Sequence, residues 1–311
     1  MKLLIKNGTL INPSTGRKEK TSILIENGKI KEISESIDDI SGKIVDAQGM
    51  FVAPGFIDIH VHFRDPGYEY KEDIHSGLKA AAAGGYTSVC TMPNTNPVAG
   101  NIETIRYMKE KASSGNGVKL FPVCSATIGL RGEEIAPFKD LKSAGAVAFS
   151  DDGNPVCNTA LLKKAMETGS FCNMKYISHS EDIFLAQDGC MNDGAEAEAM
   201  GCKGIPAVGE SSQIARDCML AEYTGVPVHI AHVSAAMSVD IIRYFKERNV
   251  KVTAETAPHY LTLTDKAIRD YGTNAKMNPP LREEKDRLAL IAVSYTHLRA
   301  HETVLDIVCR L

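Results

Sequence analysis

The sequence predicts an α/β fold, a (β/α)8 barrel of parallel strands preceded by a small β module. Three observations carry that expectation. From Ala53 onward, apolar strand-like runs alternate with helical stretches. Seven such strands recur about every thirty residues. The first fifty-odd residues have a different texture, rich in short β-prone runs and turn signals.

Residues 1–53 supply the β module through LLIKNGTLI, TSILIENGKIKEI and KIVDAQGMFVA. Asn7-Gly8 and Asn27-Gly28 read as hairpin turns, because both dipeptides readily adopt positive φ. Residues 54–293 hold the barrel strands: FIDIHVHF (56–63), YTSVCTM (86–92), VKLFPVCSA (118–126), AVAFSDDG (146–153), KYISHSED (175–182), VPVHIAHVS (226–234) and VKVTAETA (250–257). Helices are expected at EDIHSGLKAAAA, NIETIRYMKEKAS, TALLKKAMETG and SVDIIRYFKERN, the last two ending before Gly169 and near Asn249 by C-cap rules. The regular spacing, broken by one longer gap after strand five, favours a barrel over an open doubly wound sheet.

An eighth strand should begin near residue 297, but from Ser294 the chain reads SYTHLRAHETVLDIVCRL. Residues 294–311 are therefore expected to be an aberrant tail and strand eight to be missing. Two parallel edges would then lack the pairing that barrel closure provides.

Charge and composition narrow the function classes. With 35 Lys+Arg against 39 Asp+Glu, the formal charge is −4 and the pI near 6.2, which argues against a general nucleic-acid binder. A 311-residue chain with 43% hydrophobic residues can bury a large core. No run of eighteen apolar residues occurs and MKLLIKNGTL meets charge too early for a signal peptide, so no membrane partner and a cytoplasmic location are expected. The eight cysteines are scattered without a C-x-x-C pair, as reduced and mostly buried side chains would be.

The chemistry concentrates at strand ends. His60 and His62 stand at i and i+2 near the end of the first barrel strand, so alternation points both rings to one face. The carboxyl ends of barrel strands are where active sites form. Alone, H-x-H also describes ordinary surface histidines. The Asp151-Asp152 pair after strand four, His179 on strand five and His232 on strand six change that reading. Four imidazoles and a carboxylate from different strands suffice for two divalent ions bridged by the carboxylate, and such a pair makes hydroxide available near neutral pH.

Other residues read as structural. His229 is an odd number of residues from His232, which favours a packed role on the opposite strand face. His75 falls in a helix, His259 in a loop after Pro258, and His297 and His301 in the tail. Asp58 shares the face of His60 and His62 deeper in the barrel and suits hydrogen bonding to a ligand. Gly84-Gly85 and Gly153 relieve crowding at turns, and no phosphate-loop pattern occurs.

PGFIDIHVHFRDPG (54–67), MPNT (92–95), FSDDG (149–153), HSED (179–182), HVS (232–234), TAETAPHYL (253–261) and KMNPPLR (276–282) together resemble the bacterial dihydroorotases of the larger, type I kind, in the amidohydrolase superfamily. The match runs in the family's order from residue 1 to about Val293. The resemblance implies a TIM-type barrel of the metal-dependent hydrolase kind and a small-molecule substrate. The implied reaction is the zinc-dependent, reversible cyclisation of N-carbamoyl-L-aspartate to L-dihydroorotate in pyrimidine biosynthesis. By the same resemblance His60 and His62 hold the first zinc, His179 and His232 the second, and Asp152, rather than Asp151, bridges them. Strand four offers no lysine for the carboxylated-lysine bridge of many relatives. Arg64 would clamp the substrate carboxylate with help from Asn94, and Asn278 would contact the ring.

Blander readings stand beside these. Arg64 could pair with Asp65 or Glu69, and Asn94 and Asn278 adjoin prolines and could serve turns. The donor types also accept manganese or cobalt. The resemblance admits a homodimer and an association with aspartate carbamoyltransferase. The competing functions are another cyclic amidohydrolase of the hydantoinase or allantoinase kind, and a non-catalytic dihydroorotase-like partner of that transferase. The sequence departs from the family at strand eight, where the Asp-His-Ala-Pro-His motif with its metal-binding, proton-transferring aspartate is absent. Asp306 lies nearby between Leu305 and Ile307, and it is not assigned that role. A foreign tail, low stability and little or no turnover are the resulting expectations for this chain.

Overall fold

The computed structural model describes residues 2–37, 42–115, 117–297 and 307–309. The chain divides into two compact units, Met1–Phe56 and Ile57–Leu311. In the first, β1 (Lys2–Asn12) pairs antiparallel with β2 (Arg17–Glu26), which pairs antiparallel with β3 (Lys29–Ser34). The short strands β4 (Lys43–Asp46) and β5 (Phe51–Val52) run parallel to β1. Asn27 and Gly28, at φ 53° and 75°, make the turn between β2 and β3.

Asn7-Gly8 does something else. It lies inside β1, where the register against β2 shifts between Ile5 and Gly8 and Asn7 sits at φ 63°. The positive φ read as a hairpin is spent on a β-bulge, which needs the same conformation. Gly8 is also required sterically, since a Cβ there would lie 2.6 Å from Val52 Cγ2.

The second unit contains the seven expected parallel strands: β6 (Phe56–Val61), β7 (Tyr86–Thr91), β8 (Lys119–Ser125), β9 (Ala148–Ser150), β10 (Lys175–Ser178), β13 (Val228–Ile230) and β14 (Val252–Thr256). The long gap after β10 folds a two-stranded sheet of β11 (Met191–Asn192) and β12 (Gly204–Ile205). Most barrel strands end earlier than the apolar runs suggest, because their last residues turn outward into loops. The expectation of a missing eighth strand is corrected: β15 (Ile307–Cys309) pairs parallel with β14, Ala254 opposite Ile307 and Thr256 opposite Cys309. The ladder is therefore eight-stranded, in the order β15-β14-β13-β10-β9-β8-β7-β6. The absent family motif hid this strand, yet pairing an open edge requires only backbone and β-branched residues such as Ile307 and Val308. The rest of the tail's interior, including Asp306 and His301, lies outside the described residues, as do the side chains of 295–297.

Alternation separates two apolar layers. Met92, Val123, Ala148, Ile177 and Ala231 form one small cluster on the inner face of the sheet. A larger cluster fills the space under the helices, with Phe149 packed between Phe138 at 4.5 Å and Tyr176 at 5.5 Å between ring centroids. The four anticipated helices all form, at Ile74–Ala83, Ile102–Ser113, Thr159–Phe171 and Ala236–Glu247. The first is capped by Asp73, which accepts from His75 N at 2.7 Å and Ser76 N at 3.0 Å.

The third helix runs through Gly169 instead of stopping before it. Its glycine serves packing: a Cβ there would come within 2.2 Å of Phe149 Cε1. Gly169→Ala should accordingly destabilise the protein by about 1 to 2 kcal/mol, overpacking outweighing the gain in helix propensity. Denaturant unfolding of Gly169→Ala, Phe149→Leu and the double variant checks this. The double variant should lose less than the sum of the single losses, and strict additivity would contradict the contact.

Candidate metal centre

The sheet gathers five side chains at the carboxyl ends of four strands. His60 lies inside β6 and His62 one residue past it, while Asp152, His179 and His232 follow the ends of β9, β10 and β13. His60, Asp152 and His232 offer nitrogen and oxygen atoms that all lie within 4.8 Å of one another. Asp152 Oδ1 is 3.4 Å from His60 Nε2, 3.1 Å from His179 Nδ1 and 3.6 Å from His232 Nε2. Its other oxygen, Oδ2, is 3.2 Å from His62 Nε2. His179 Nδ1 and His232 Nε2 are themselves 2.9 Å apart.

The outward nitrogens are engaged too. His62 Nδ1 lies 2.9 Å from Asn94 Oδ1, whose amide nitrogen donates to Asp152 Oδ2 at 3.3 Å. His179 Nε2 lies 3.1 Å from Glu181 Oε2, which also accepts from Asn278 Nδ2 at 3.3 Å. His60 Nδ1 lies 3.0 Å from Glu255 Oε1 on β14, at an angle short of a linear hydrogen bond. With acceptors outside, the inner nitrogens of these three rings face one space, and on losing their protons they would present lone pairs to it, the arrangement metal-binding histidines need.

Electrostatics divides the four rings. Burial depresses His62 to about 3 and His232 to about 4, keeping both neutral. For His60 and His179 burial works in the same sense, but the charge and hydrogen bonds of Asp152, with those of Glu255 and Glu181 respectively, outweigh it and raise both to about 9. Burial would lift Asp152, yet the surrounding imidazoles hold it well below the usual carboxylate range. A buried carboxylate faced by four rings could hold a cation, and nitrogen and oxygen donors suit zinc, manganese or cobalt.

Asp151, the other half of the pair, is turned away. It accepts from Ala126 N at 2.7 Å, Thr127 N at 3.0 Å and the Thr127 hydroxyl, anchoring the loop after β8, and burial raises it to about 6. His229 also stays out of the cluster: Nδ1 is 2.8 Å from Thr253 Oγ1 and Nε2 3.7 Å from Glu255 Oε2. The alternation that separated it from His232 does not govern, because β13 ends at Ile230 and His232 has φ 39°. That left-handed backbone costs about 1 to 3 kcal/mol. Glu210 braces the turn by accepting from Ser234 N at 3.0 Å, Ala235 N at 3.1 Å and the Ser234 hydroxyl. Asp58 accepts from His60 N at 3.1 Å, and His259 packs on Tyr260 with centroids 4.1 Å apart.

Arg64 is half-buried, with φ 59°, and its charge helps keep His62 neutral. The ion pairs open to it from sequence do not form. Asp65 takes Lys111 Nζ at 2.8 Å, Tyr107 OH at 2.9 Å and Ile74 N at 3.0 Å, while Glu69 accepts from Gly67 N at 2.9 Å. Asn94 and Asn278 are not confined to turns, since both join the cluster's hydrogen-bond shell. Sequence reasoning assigned no role to Glu181, Glu210 or Glu255. Glu181 was findable, two residues beyond His179. Glu255 and Glu210 carry no such signal, because they reach the site only through strand order and a helix face.

A family profile described as Dihydro-orotase-like matches residues 49–238. A protein named dihydroorotase from Ruminiclostridium cellulolyticum is 52% identical over 291 residues, covering 94% of this chain and 68% of its own. Another from Syntrophotalea carbinolica is 50% identical over 290 residues, covering 93% and 68%. Among solved structures, an L-hydantoinase (dihydropyrimidinase) from Arthrobacter aurescens superposes with a TM-score of 0.83 at 24% identity, covering 95% of this chain and 67% of its own, which speaks for a shared barrel architecture. On the profile match and these identities, the chain belongs to the dihydroorotase-like family.

Proposed function

We propose that the cluster of His60, His62, Asp152, His179 and His232 holds two zinc ions and serves a dihydroorotase, the cyclic amide hydrolase that interconverts N-carbamoyl-L-aspartate and L-dihydroorotate. The observation that carries the reading is the single buried Asp152 faced by four imidazole nitrogens at 3.1 to 3.6 Å. Metal ions in such a site polarise a carbonyl and lower the pKa of water enough to furnish a nucleophile at neutral pH.

The chain's own residues bind and orient. His60 and His62 would hold the first ion, His179 and His232 the second, and Asp152 would serve both. Arg64, with neither neighbouring carboxylate as partner, offers its fork to the substrate carboxylate. Asn94 and Asn278, tied to His62 and Glu181, hold amide groups at the cluster's rim, where a ring amide can meet them. The strand-eight motif that would carry the family's proton-transferring aspartate is absent from this sequence, and Asp306, which lies outside the described residues, is not assigned the role, so little or no turnover is expected of this chain. A cytoplasmic location, a homodimer and an association with aspartate carbamoyltransferase belong to the same reading and rest on the resemblance alone. No helix among the described residues is long and apolar enough to cross a membrane.

Substrate class is tested by binding. Zinc-loaded protein should bind dihydroorotate, and Arg64→Met should raise its Kd about 10- to 100-fold, the worth of a charge-assisted hydrogen bond of about 1.5 to 3 kcal/mol. Hydantoin, which has no carboxylate, should bind both proteins alike. Equal affinity of wild type and Arg64→Met for dihydroorotate, or tighter binding of hydantoin, would contradict the assignment.

Metal uptake should also be proton-linked. In metal-free protein His60 and His179 hold protons up to about pH 9 while His62 and His232 are already neutral, so loading at pH 7 should release about two protons. Apparent affinity should therefore rise with pH and level off above about 9. Calorimetry in buffers of different ionisation enthalpy reads the release, and pH-independent binding between 6 and 9 would contradict the two raised values.

A further inference from the structure

Glu255 touches the cluster from behind. It stands on β14, 2% exposed, and its Oε1 lies 3.0 Å from His60 Nδ1 while Oε2 lies 3.7 Å from His229 Nε2. His229 in turn meets Thr253 Oγ1 at 2.8 Å, and Thr253 is its register partner across the β13–β14 ladder. The row His60, Glu255, His229, Thr253 thus spans the sheet interior from β6 to β14 and ends in a backbone-fixed pair. On the far side of the His60 ring, Nε2 faces Asp152 Oδ1 at 3.4 Å.

We propose that Glu255 is a positioning residue for the metal centre, holding the Nδ1 proton of His60 so that Nε2 alone carries the lone pair that faces Asp152. This inference rests on the metal reading above. Both ring nitrogens of His60 face a carboxylate, Nδ1 that of Glu255 and Nε2 that of Asp152; a cation held at Nε2 would displace the hydrogen there, and the one hydrogen left to a neutral imidazole then stays on Nδ1 against Glu255. Fixing it on Nδ1 leaves Nε2 basic and aimed. His229, held by Thr253, limits the swing of the Glu255 carboxylate, so that the ring plane of His60 is set as well as its tautomer. His60 sits within a strand, where its backbone cannot shift to compensate.

The test is metal affinity read by competition with a chromophoric chelator, using Zn2+ and the full chain. Glu255→Gln should weaken binding about 10- to 100-fold, the usual cost of losing an outer carboxylate partner of a ligating histidine. Glu255→Asp should recover part of the loss. In a His60→Ala background, Glu255→Gln should leave the remaining affinity unmoved, because the carboxylate acts through that ring. Wild-type affinity in Glu255→Gln, or an equal loss with and without His60, would overturn the proposal. Wild-type protein that takes up no zinc would defeat the metal reading and this assignment with it. Nitrogen-15 spectra of histidine in zinc-loaded wild type give the same answer without a substitution that could unfold the sheet. A protonated Nδ1 with a metal-shifted Nε2 on His60 is expected, and the reverse pattern overturns the proposal.

Discussion

The Asp152 carboxylate is the constraint on which this architecture turns. It is 3% exposed, and an ion that deep costs several kcal/mol unless opposite charge or hydrogen-bond donors surround it. Four imidazoles from three other strands do so, and no two neighbours along the chain could. His60 and His62 come from β6, His179 from β10 and His232 from β13, each at or just past the strand's carboxyl end. The parallel ladder, whose register places those ends at one level, is therefore a condition of the chemistry as well as of the fold.

The cluster also explains where the loops are rigid. The positive φ of His232 is tolerable because Glu210, from the helix Ala207–Thr224, ties down the two residues after Val233, and Arg282 adds Nε to Ser234 Oγ at 3.1 Å. Asp151 performs the equivalent service for the loop after β8. Carboxylates thus appear in two roles in one small volume, Asp152 and Glu255 facing the rings and Asp151 and Glu210 binding the frame. Adjacent aspartates in sequence part company past the end of β9, Asp151 taking the backbone of Ala126 and Thr127 and Asp152 the rings.

Much of this was legible in the letters. The seven strands and four helices follow from apolar period and caps, the four histidines and the Asp151-Asp152 pair follow from ligand types recurring at strand ends, and the choice of Asp152 within that pair follows from the family resemblance. What was not legible has physical causes. Asn7-Gly8 and Gly169 were misread because a positive-φ dipeptide serves a bulge as well as a turn, and a glycine near a helix end can be there for an aromatic ring across the core. Strand eight is hidden because the family motif is absent from the tail, whereas three β-branched or small residues, Ile307–Cys309, suffice to pair the edge of β14. Glu255 and Glu210 were invisible as site residues, since only the ladder order puts β14 behind His60 and only helix packing brings Glu210 under Ser234.

The central claim is that Asp152 gathers two cations with four imidazoles. Metal analysis of the purified, dialysed chain beside its folded Asp152→Asn variant tests it most directly. The account predicts about two zinc ions per chain in the wild type and loss of both in the variant, because the amide cannot balance the charge of either. A variant that keeps its full metal complement would contradict it.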